Sequence, residues 1–176
     1  MRLSTLKKIK LYLESSSLWN LYYEELGAEL VEHCLENTQL TCISSIWSQL
    51  EIERGIKKRE NQKEINSDEA KNLRAFIEID SKRLISKKQL EMLPIIEEDI
   101  LVARRFIHEY NLFASDALHL ASAVLQGCKG VLVDDYHFLR LNKLIEEREE
   151  LTIYSTAMPI SDFHDHLFPS PDNVEL

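Results

Sequence analysis

The sequence contains little glycine, proline and cysteine. Four glycines and four prolines occur among 176 residues, so the chain offers no flexible linker at which to divide it into two domains. The three cysteines, Cys34, Cys42 and Cys128, are widely spaced and form no CxxC pair. This usage disfavours a disulfide framework or a zinc site, and it favours buried thiols in a reducing cytoplasm.

Long apolar runs are missing as well. No stretch reaches the ~18 residues that a membrane-spanning helix requires. The chain starts with basic residues, but no long apolar segment or small-residue cleavage site follows them, so a secretory signal is not expected. We therefore predict a cytoplasmic location without membrane attachment.

Positive charge is scarce relative to negative charge. The chain has 21 Lys and Arg residues and 30 Asp and Glu residues, which gives a formal net charge of -9. Such a protein does not attract nucleic acid through its overall field, so a polynucleotide would need a local basic patch or a bound metal. This disfavours a general DNA-binding module but remains compatible with a metal-dependent nuclease, whose clustered carboxylates add to its acidity.

Short apolar strands alternate with longer helical patterns along the chain. Apolar spacing predicts strands over residues 9–13, 41–44, 92–96, 131–133 and 151–154. It predicts helices over residues 18–36, 46–60, 67–87, 97–110 and 116–126. This alternation predicts an α/β fold with three layers, α/β/α, around a central, mostly parallel sheet of about five strands. We assign a single domain to residues 1–158 and a C-terminal tail to residues 159–176.

For one predicted helix, the sequence also predicts which residues lie in the core. The spacing of apolar residues over 97–110 predicts that five side chains face inward, namely Ile100, Leu101, Ala103, Phe106 and Ile107.

Acidic residues stand at the ends of the predicted strands or near the starts of helices. Glu14 follows the first strand, and Asp134 and Asp135 follow the strand over 131–133. Asp116 begins a predicted helix, and Glu51 lies on the helix after the second strand. In parallel α/β sheets the functional site lies at the carboxyl ends of the strands. Carboxylates gathered there suit a hard divalent cation, which can polarise a phosphoryl oxygen and lower the pKa of bound water.

Each acid also has a simpler explanation when it is taken alone. Asp116 suits the first turn of a helix because of the helix dipole. Glu51 can pair with Arg54 or Lys58 on its own helix face, and Asp134 with Asp135 can open a turn. The joint placement of these residues is what favours a metal site.

Four segments resemble the PIN-domain family, particularly the VapC-type toxin ribonucleases. Residues 112–121 (LFASDALHLA) are similar to the family's L-x-x-x-D-A-L-H-L-A segment, and residues 131–138 (VLVDDYHF) resemble its T-x-D-x-x-F strand end. The spacing within residues 45–54 is similar to S-x-x-x-x-x-E-x-x-R, and residues 12–16 (YLESS) are similar to Y-L-D-T-S. The four segments follow the family's order, and the resemblance covers residues 9–154.

The resemblance implies a parallel sheet flanked by helices and an endoribonuclease that depends on Mg²⁺ or Mn²⁺. It also implies an antitoxin protein as partner and a homodimer. Ser16 falls on the family's hydroxyl position near the first acid, and Asp134 is assigned a supporting position outside the ligands. The catalytic metal ligands that the resemblance implies are Glu14, Glu51, Asp116 and Asp135.

Two departures from the family pattern bear on activity. Glu14 stands where the family has Asp, and its extra methylene moves the carboxylate by roughly 1.5 Å. A misplacement of ~1 Å can cost on the order of 100-fold in rate. Val133 replaces a Thr and removes a hydroxyl near the last acid. The alternative function is therefore a PIN-fold module that binds RNA or protein with weakened or lost catalysis. A phosphatase of another α/β family fits poorly, because it needs a nucleophilic Asp where this chain has Glu14.

Three further features have two interpretations each. His119 lies between leucines, which favours packing over catalysis. The basic run over residues 54–59 is either a solvated face or a surface that positions an RNA backbone. Trp19, Tyr22 and Tyr23 lie on one early helix and either line a partner surface or pack in the ordinary way.

Overall fold

A computed structural model of the protein describes residues 8–23 and 26–169, except the side chain of His137. Within these residues one five-stranded sheet has the order β3-β2-β1-β4-β5, and every neighbouring pair is parallel. The predicted parallel sheet of about five strands is confirmed. The strands are β1 (Ile9–Leu13), β2 (Leu40–Ser45), β3 (Leu90–Leu93), β4 (Gly130–Val133) and β5 (Thr152–Ser155).

Helices connect the strands, because consecutive parallel strands require a crossover. The helical pattern predicted over 18–36 forms two helices, and Gly27 before the second has a φ of 98°, which glycine adopts most readily. In the part of the chain described, no helix combines the length and the apolar character needed to cross a membrane. The helices are α1 (Ser15–Tyr23), α2 (Ala28–Glu36), α3 (Ile46–Asn61), α4 (Ser67–Ser86), α5 (Glu97–Tyr110), α6 (Ala114–Leu125), α7 (Tyr136–Leu139), α8 (Asn142–Glu149) and α9 (Ile160–Leu167).

The helices cover both faces of the sheet and bury two apolar cores. Successive strand residues point to opposite faces, so Leu11 and Leu13 enter one core while Tyr12 enters the other. The first core is shared with α1 to α4 and α9, and the second with α5 to α8. The predicted three-layer α/β/α architecture is therefore confirmed.

Helix α5 corrects one part of the predicted core. Ala103 and Phe106 are buried as predicted, and Ile107 is half-buried, but Ile100 and Leu101 are 46% and 55% exposed. The helix is oriented by Asp99, which is buried and accepts hydrogen bonds from the Ile96 N–H at 2.9 Å and the Ser122 hydroxyl at 2.8 Å. Apolar spacing alone does not reveal this polar anchor, and the prediction for Ile100 and Leu101 was wrong.

Helix α9 lies in the segment that the sequence assigned to a C-terminal tail. Its residues Phe163 and Leu167 are buried, and the Phe163 ring packs edge-on against Tyr154 with centroids 5.0 Å apart. The structure thus extends the first core past residue 158. Residues 1–7 of the basic start and the last seven residues of the expected tail lie outside the described residues.

The cysteines agree with the expectation of buried thiols. Cys34, Cys42 and Cys128 are all buried and free. Burial raises the pKa of Cys34 and of Cys128 to about 12, so both remain thiols at neutral pH.

The strand order places one pair of strands at a switch point. From β1 the chain proceeds to β2 and β3 on one side, and it then returns to β4 on the other side of β1. The connections leaving β1 and β4 therefore separate, and a crevice forms beyond their carboxyl ends. Glu14 directly follows β1, and Asp134 and Asp135 directly follow β4, so these acids stand beside this crevice.

Candidate metal centre

One cavity of about 200 Å³ lies at the switch point and collects all four predicted acids. Glu14 comes from the end of β1, Glu51 from α3, Asp116 from the first turn of α6 and Asp135 from the residue before α7. Four elements that are far apart in sequence thus converge on one space. Its full lining is Glu14, Ser15, Ser16, Glu51, Asp116, Val133, Asp135 and Phe138.

Glu14 is the most firmly held of the four. Its Oε1 accepts a hydrogen bond from the Ser15 hydroxyl at 2.5 Å. Its Oε2 accepts one from the Ser16 N–H at 2.7 Å and another from the Ser16 hydroxyl. Both oxygens are therefore oriented by the two serines that open α1, and only 8% of the residue is exposed.

Glu51 is held from the opposite side by α6. Its Oε2 lies 2.6 Å from Nε2 of His119, and its Oε1 accepts a hydrogen bond from the Ser115 hydroxyl. Burial raises the pKa of Glu51, but the hydrogen bond from His119, the charge of that ring and the Ser115 hydroxyl together bring it below its usual value. Glu51 is thus a carboxylate at neutral pH.

His119 joins the site, which the sequence interpretation missed. The ring is fully buried, as a packing role predicts, but Nε2 also lies 3.4 Å from Glu14 Oε1, and Nδ1 lies 2.9 Å from the Tyr12 hydroxyl. Ligand atoms of Glu14, Glu51 and His119 all lie within 4.8 Å of one another. Burial lowers the pKa of His119, but the hydrogen bond to Glu51 and the negative charges nearby raise it above its usual value.

A sequence signal for His119 does exist. It stands three residues after Asp116 on the same helix, and residues at that spacing share a helix face. If Asp116 points into an acidic cavity, His119 on the same helix face lies beside that cavity.

Asp116 experiences the repulsion that clustered carboxylates create. Burial raises its pKa, and the charges of Asp135 and Glu14 raise it further, to about 6. A divalent cation among these side chains would remove that repulsion.

Ser16 and Asp134 support the site from one side. The Asp134 N–H donates to the Ser16 hydroxyl oxygen at 2.8 Å, so Ser16 links Glu14 to the end of β4. The Asp134 carboxylate accepts a hydrogen bond from the Thr156 hydroxyl at 3.0 Å, and Asp134 does not line the cavity. Val133 is among the residues that line it.

The donor set suits a hard divalent cation. Carboxylate oxygens are the ligands that Mg²⁺ and Mn²⁺ prefer, and Glu14, Glu51, Asp116 and Asp135 supply them around one cavity. Burial and the charges of Asp135 and Glu14 raise the pKa of Asp116, and a cation bound beside it would favour the ionised form.

Fold and site together define a class of protein. Its members are parallel α/β/α domains with a carboxylate cavity at the switch point of the sheet. A family model described as "PIN domain" matches residues 11–144. The chain belongs to the PIN domain family. Curated protein sequences gave no match to the chain.

Three solved structures illustrate the similarity of this chain to known folds. PAE2754 from Pyrobaculum aerophilum is similar with a TM-score of 0.56 and 14% identity over 92% of this chain and 97% of that one. VapBC2 from Rickettsia felis bound to a DNA fragment from their promoter has a TM-score of 0.53 and 13% identity over 84% and 98%. A toxin–antitoxin complex from Klebsiella pneumoniae has a TM-score of 0.52 and 13% identity over 81% and 95%. At such identities the likeness establishes the fold.

Proposed function

We propose that the protein is a metal-dependent endoribonuclease that hydrolyses RNA phosphodiester bonds. The observation that carries this proposal is the convergence of four carboxylates from four elements on one cavity at the switch point of the sheet. Membership of the PIN domain family supports it. The toxin role in a toxin–antitoxin pair is supported by two similar structures, which are described as such a complex and as VapBC2.

The four acids have one joint task in this proposal. Glu14, Glu51, Asp116 and Asp135 hold Mg²⁺ or Mn²⁺, which when bound polarises a phosphoryl oxygen and lowers the pKa of an attacking water. The surrounding residues fix the ligands before binding. Ser15 and Ser16 orient Glu14, while His119 and Ser115 orient Glu51.

The direct test is RNA cleavage with and without Mn²⁺ by the natural chain and by Asp116→Asn. We expect cleavage only by the natural chain in the presence of the metal. Asp165→Asn is the matched control, since Asp165 is an exposed carboxylate on α9. Cleavage without metal, or equal rates for the natural chain and Asp116→Asn, would defeat the proposal.

A second candidate is a PIN-fold module that binds RNA or protein with weakened catalysis. The observation that favours it is the number of hydrogen bonds that Glu14 already accepts. Its Oε2 accepts two, so both lone pairs of that oxygen are engaged and fewer remain for a metal. Glu14→Asp separates the two candidates. A large gain in cleavage favours the weakened module, whereas a loss of cleavage identifies Glu14 as a ligand to which this site is adapted.

Partners are part of the proposal. We expect an antitoxin encoded beside this gene, and co-expression of the two proteins with purification of one tests for a complex. A homodimer is supported by apolar residues on and near α5 that are 46–76% exposed, since a second copy of the chain could cover such side chains. Sedimentation velocity of the purified chain measures this state. The exposed residues are Ile96, Ile100, Leu101 and Phe113.

A further inference from the structure

A second cavity, of about 390 Å³, adjoins the carboxylate cavity. The two share Ser15, Ser16 and Glu51 in their linings. From these residues the second cavity extends between α1 and α3 as a groove. Its outer part is lined by Trp19, Gly55, Lys58 and Arg59. A polymeric substrate that leaves the carboxylate cavity past Ser15, Ser16 and Glu51 therefore enters the groove.

The Trp19 ring and the Arg59 guanidinium group line one wall of the groove. The Trp19 ring stacks on that of Tyr23, with centroids 5.0 Å apart and an angle of 15° between their planes. The Arg59 guanidinium carbon lies 4.0 Å from the centroid of Tyr23 and 5.2 Å from that of Trp19. Glu64 fixes the guanidinium through a contact of 2.9 Å between Oε2 and Nη1. The wall is therefore an ordered surface of flat groups.

Gly55 explains how α1 and α3 approach each other here. It lies within α3, where glycine is an unfavourable residue. A Cβ at this position would lie 3.1 Å from Cζ3 of Trp19, closer than an ordinary contact. The missing side chain lets the Trp19 ring lie against α3.

The groove also carries positive charge on an acidic protein. Lys58 is exposed on its rim, and within residues 8–23 and 26–169 its ammonium group makes no ion pair. Arg59 shares its charge with Glu64. The other acid in the lining, Glu51, belongs to the carboxylate cavity, where a bound cation would offset it. Lys58 and Arg59 thus form the local basic patch that a protein of net charge -9 needs to contact a polynucleotide.

We propose that this groove binds the nucleotide next to the scissile phosphodiester of a single-stranded RNA. Lys58 and Arg59 contact phosphate oxygens, and the ring of Trp19 contacts an unpaired base. Stacking on an aromatic side chain requires a base whose face is open, which a continuous duplex does not present. This assignment rests on the proposed action on RNA and adds to it the path that the strand takes beyond the carboxylate cavity and the side chains that bind it there.

The first test measures binding apart from cleavage. A labelled short single-stranded RNA is titrated against the Asp116→Asn protein, alone and combined with Lys58→Gln, and its fluorescence anisotropy is followed. One phosphate contact on a single strand contributes a salt slope of about 0.7, so Lys58→Gln should bind about 5-fold more weakly at ~0.1 M salt and show a shallower slope by that amount. Lys57→Gln is the matched control. Lys57 is the preceding residue of α3, pairs with Glu60 at 2.9 Å and does not line the groove.

The second test reports on Trp19 itself. The chain has two tryptophans, Trp19 and Trp47, so Trp47→Phe leaves Trp19 as the only indole emitter. Single-stranded RNA should quench this emission, and a duplex of the same sequence should quench it less. Trp19→Leu should weaken binding about 5-fold or more. If Trp19→Leu fails to fold, the quenching experiment still decides.

Outcomes of these tests separate the groove from the catalytic proposal. Equal binding by Lys58→Gln and Lys57→Gln, or unchanged Trp19 emission on RNA addition, would overturn the groove even if Mn²⁺-dependent cleavage is found. The expected binding results without any cleavage would keep the groove as an RNA site and would refute the nuclease instead.

Discussion

Replacing Asp116 by Asn should stabilise the metal-free protein at neutral pH. The pKa of Asp116 is raised to about 6 by burial and by the charges of Asp135 and Glu14. A folded-state pKa above the unfolded value means that ionisation of this carboxyl opposes folding. Below about pH 4 the group is protonated in both states, and the cost is absent. The cost grows as the pH rises toward 6 and is then complete. Asparagine has nearly the same shape and avoids it.

The size of the gain follows from the difference between the two pKa values. A rise from the ordinary 3.8 to about 6 corresponds to at most about 3 kcal/mol. Asp116 is only half-buried, so solvent screening reduces that figure, and the variant also gives up a favourable charge in the first turn of α6. We expect about 1–2 kcal/mol, which for a chain of this size raises Tm by roughly 2–8 °C.

Thermal unfolding in the presence of a chelator measures this prediction. Asp116→Asn and the natural chain should differ at about pH 7.5 and converge at about pH 3.5. Asp165→Asn, which removes an exposed acid on α9, should match the natural chain at both values. An equal shift at both values of pH, or a less stable Asp116→Asn protein at neutral pH, would show that ionisation of Asp116 does not oppose folding.

Three further predictions concern the site and the core. Mn²⁺ at 100 times its Kd should stabilise the natural chain by about 2.7 kcal/mol and Asp116→Asn by clearly less, as Tm measured with and without the metal will show. His119→Phe should lower the free energy of unfolding, measured in urea, by about 2–4 kcal/mol, because the buried Tyr12 hydroxyl and the Glu51 carboxylate lose their partner. A change within ~0.5 kcal/mol would show that His119 does not stabilise these two groups. Phe163→Ala should cost about 3–5 kcal/mol in the same assay, because Phe163 is 1% exposed, and an unchanged stability would mean that α9 is not part of the core.

Much of the site follows from sequence order alone. Carboxyl ends of parallel strands meet at one edge of the sheet, so the sequence places Glu14 and Asp135 at the same edge. Their closeness depends on β1 and β4 being neighbours, which the strand order shows. Glu51 and Asp116 required more, since each stands on a helix whose rotation decides where the side chain points. The family resemblance supplied that information, and the cavity contains both residues.

The features that were missed depend on contacts between distant residues. His119 reaches Glu51 across 68 positions of sequence, and leucines on either side of a histidine look the same whether its ring packs or donates. The inward side of α5 is likewise set by the bond between Asp99 and Ser122, 23 positions apart. Helix α9 is short, and its two buried residues give too few positions to establish a helical period.

The contacts of Glu14 in the structure change the interpretation of this residue. From the sequence, the longer side chain is a misplaced version of the family's Asp. In the structure its oxygens are held by Ser15 and Ser16, and those serines also line the groove with Trp19 and Lys58. The same first turn of α1 therefore fixes a proposed metal ligand and begins the proposed RNA path. Shortening Glu14 would break the bonds to both serines, so Glu14→Asp should change the binding of single-stranded RNA as well as cleavage. If cleavage alone changes, the two sites are independent.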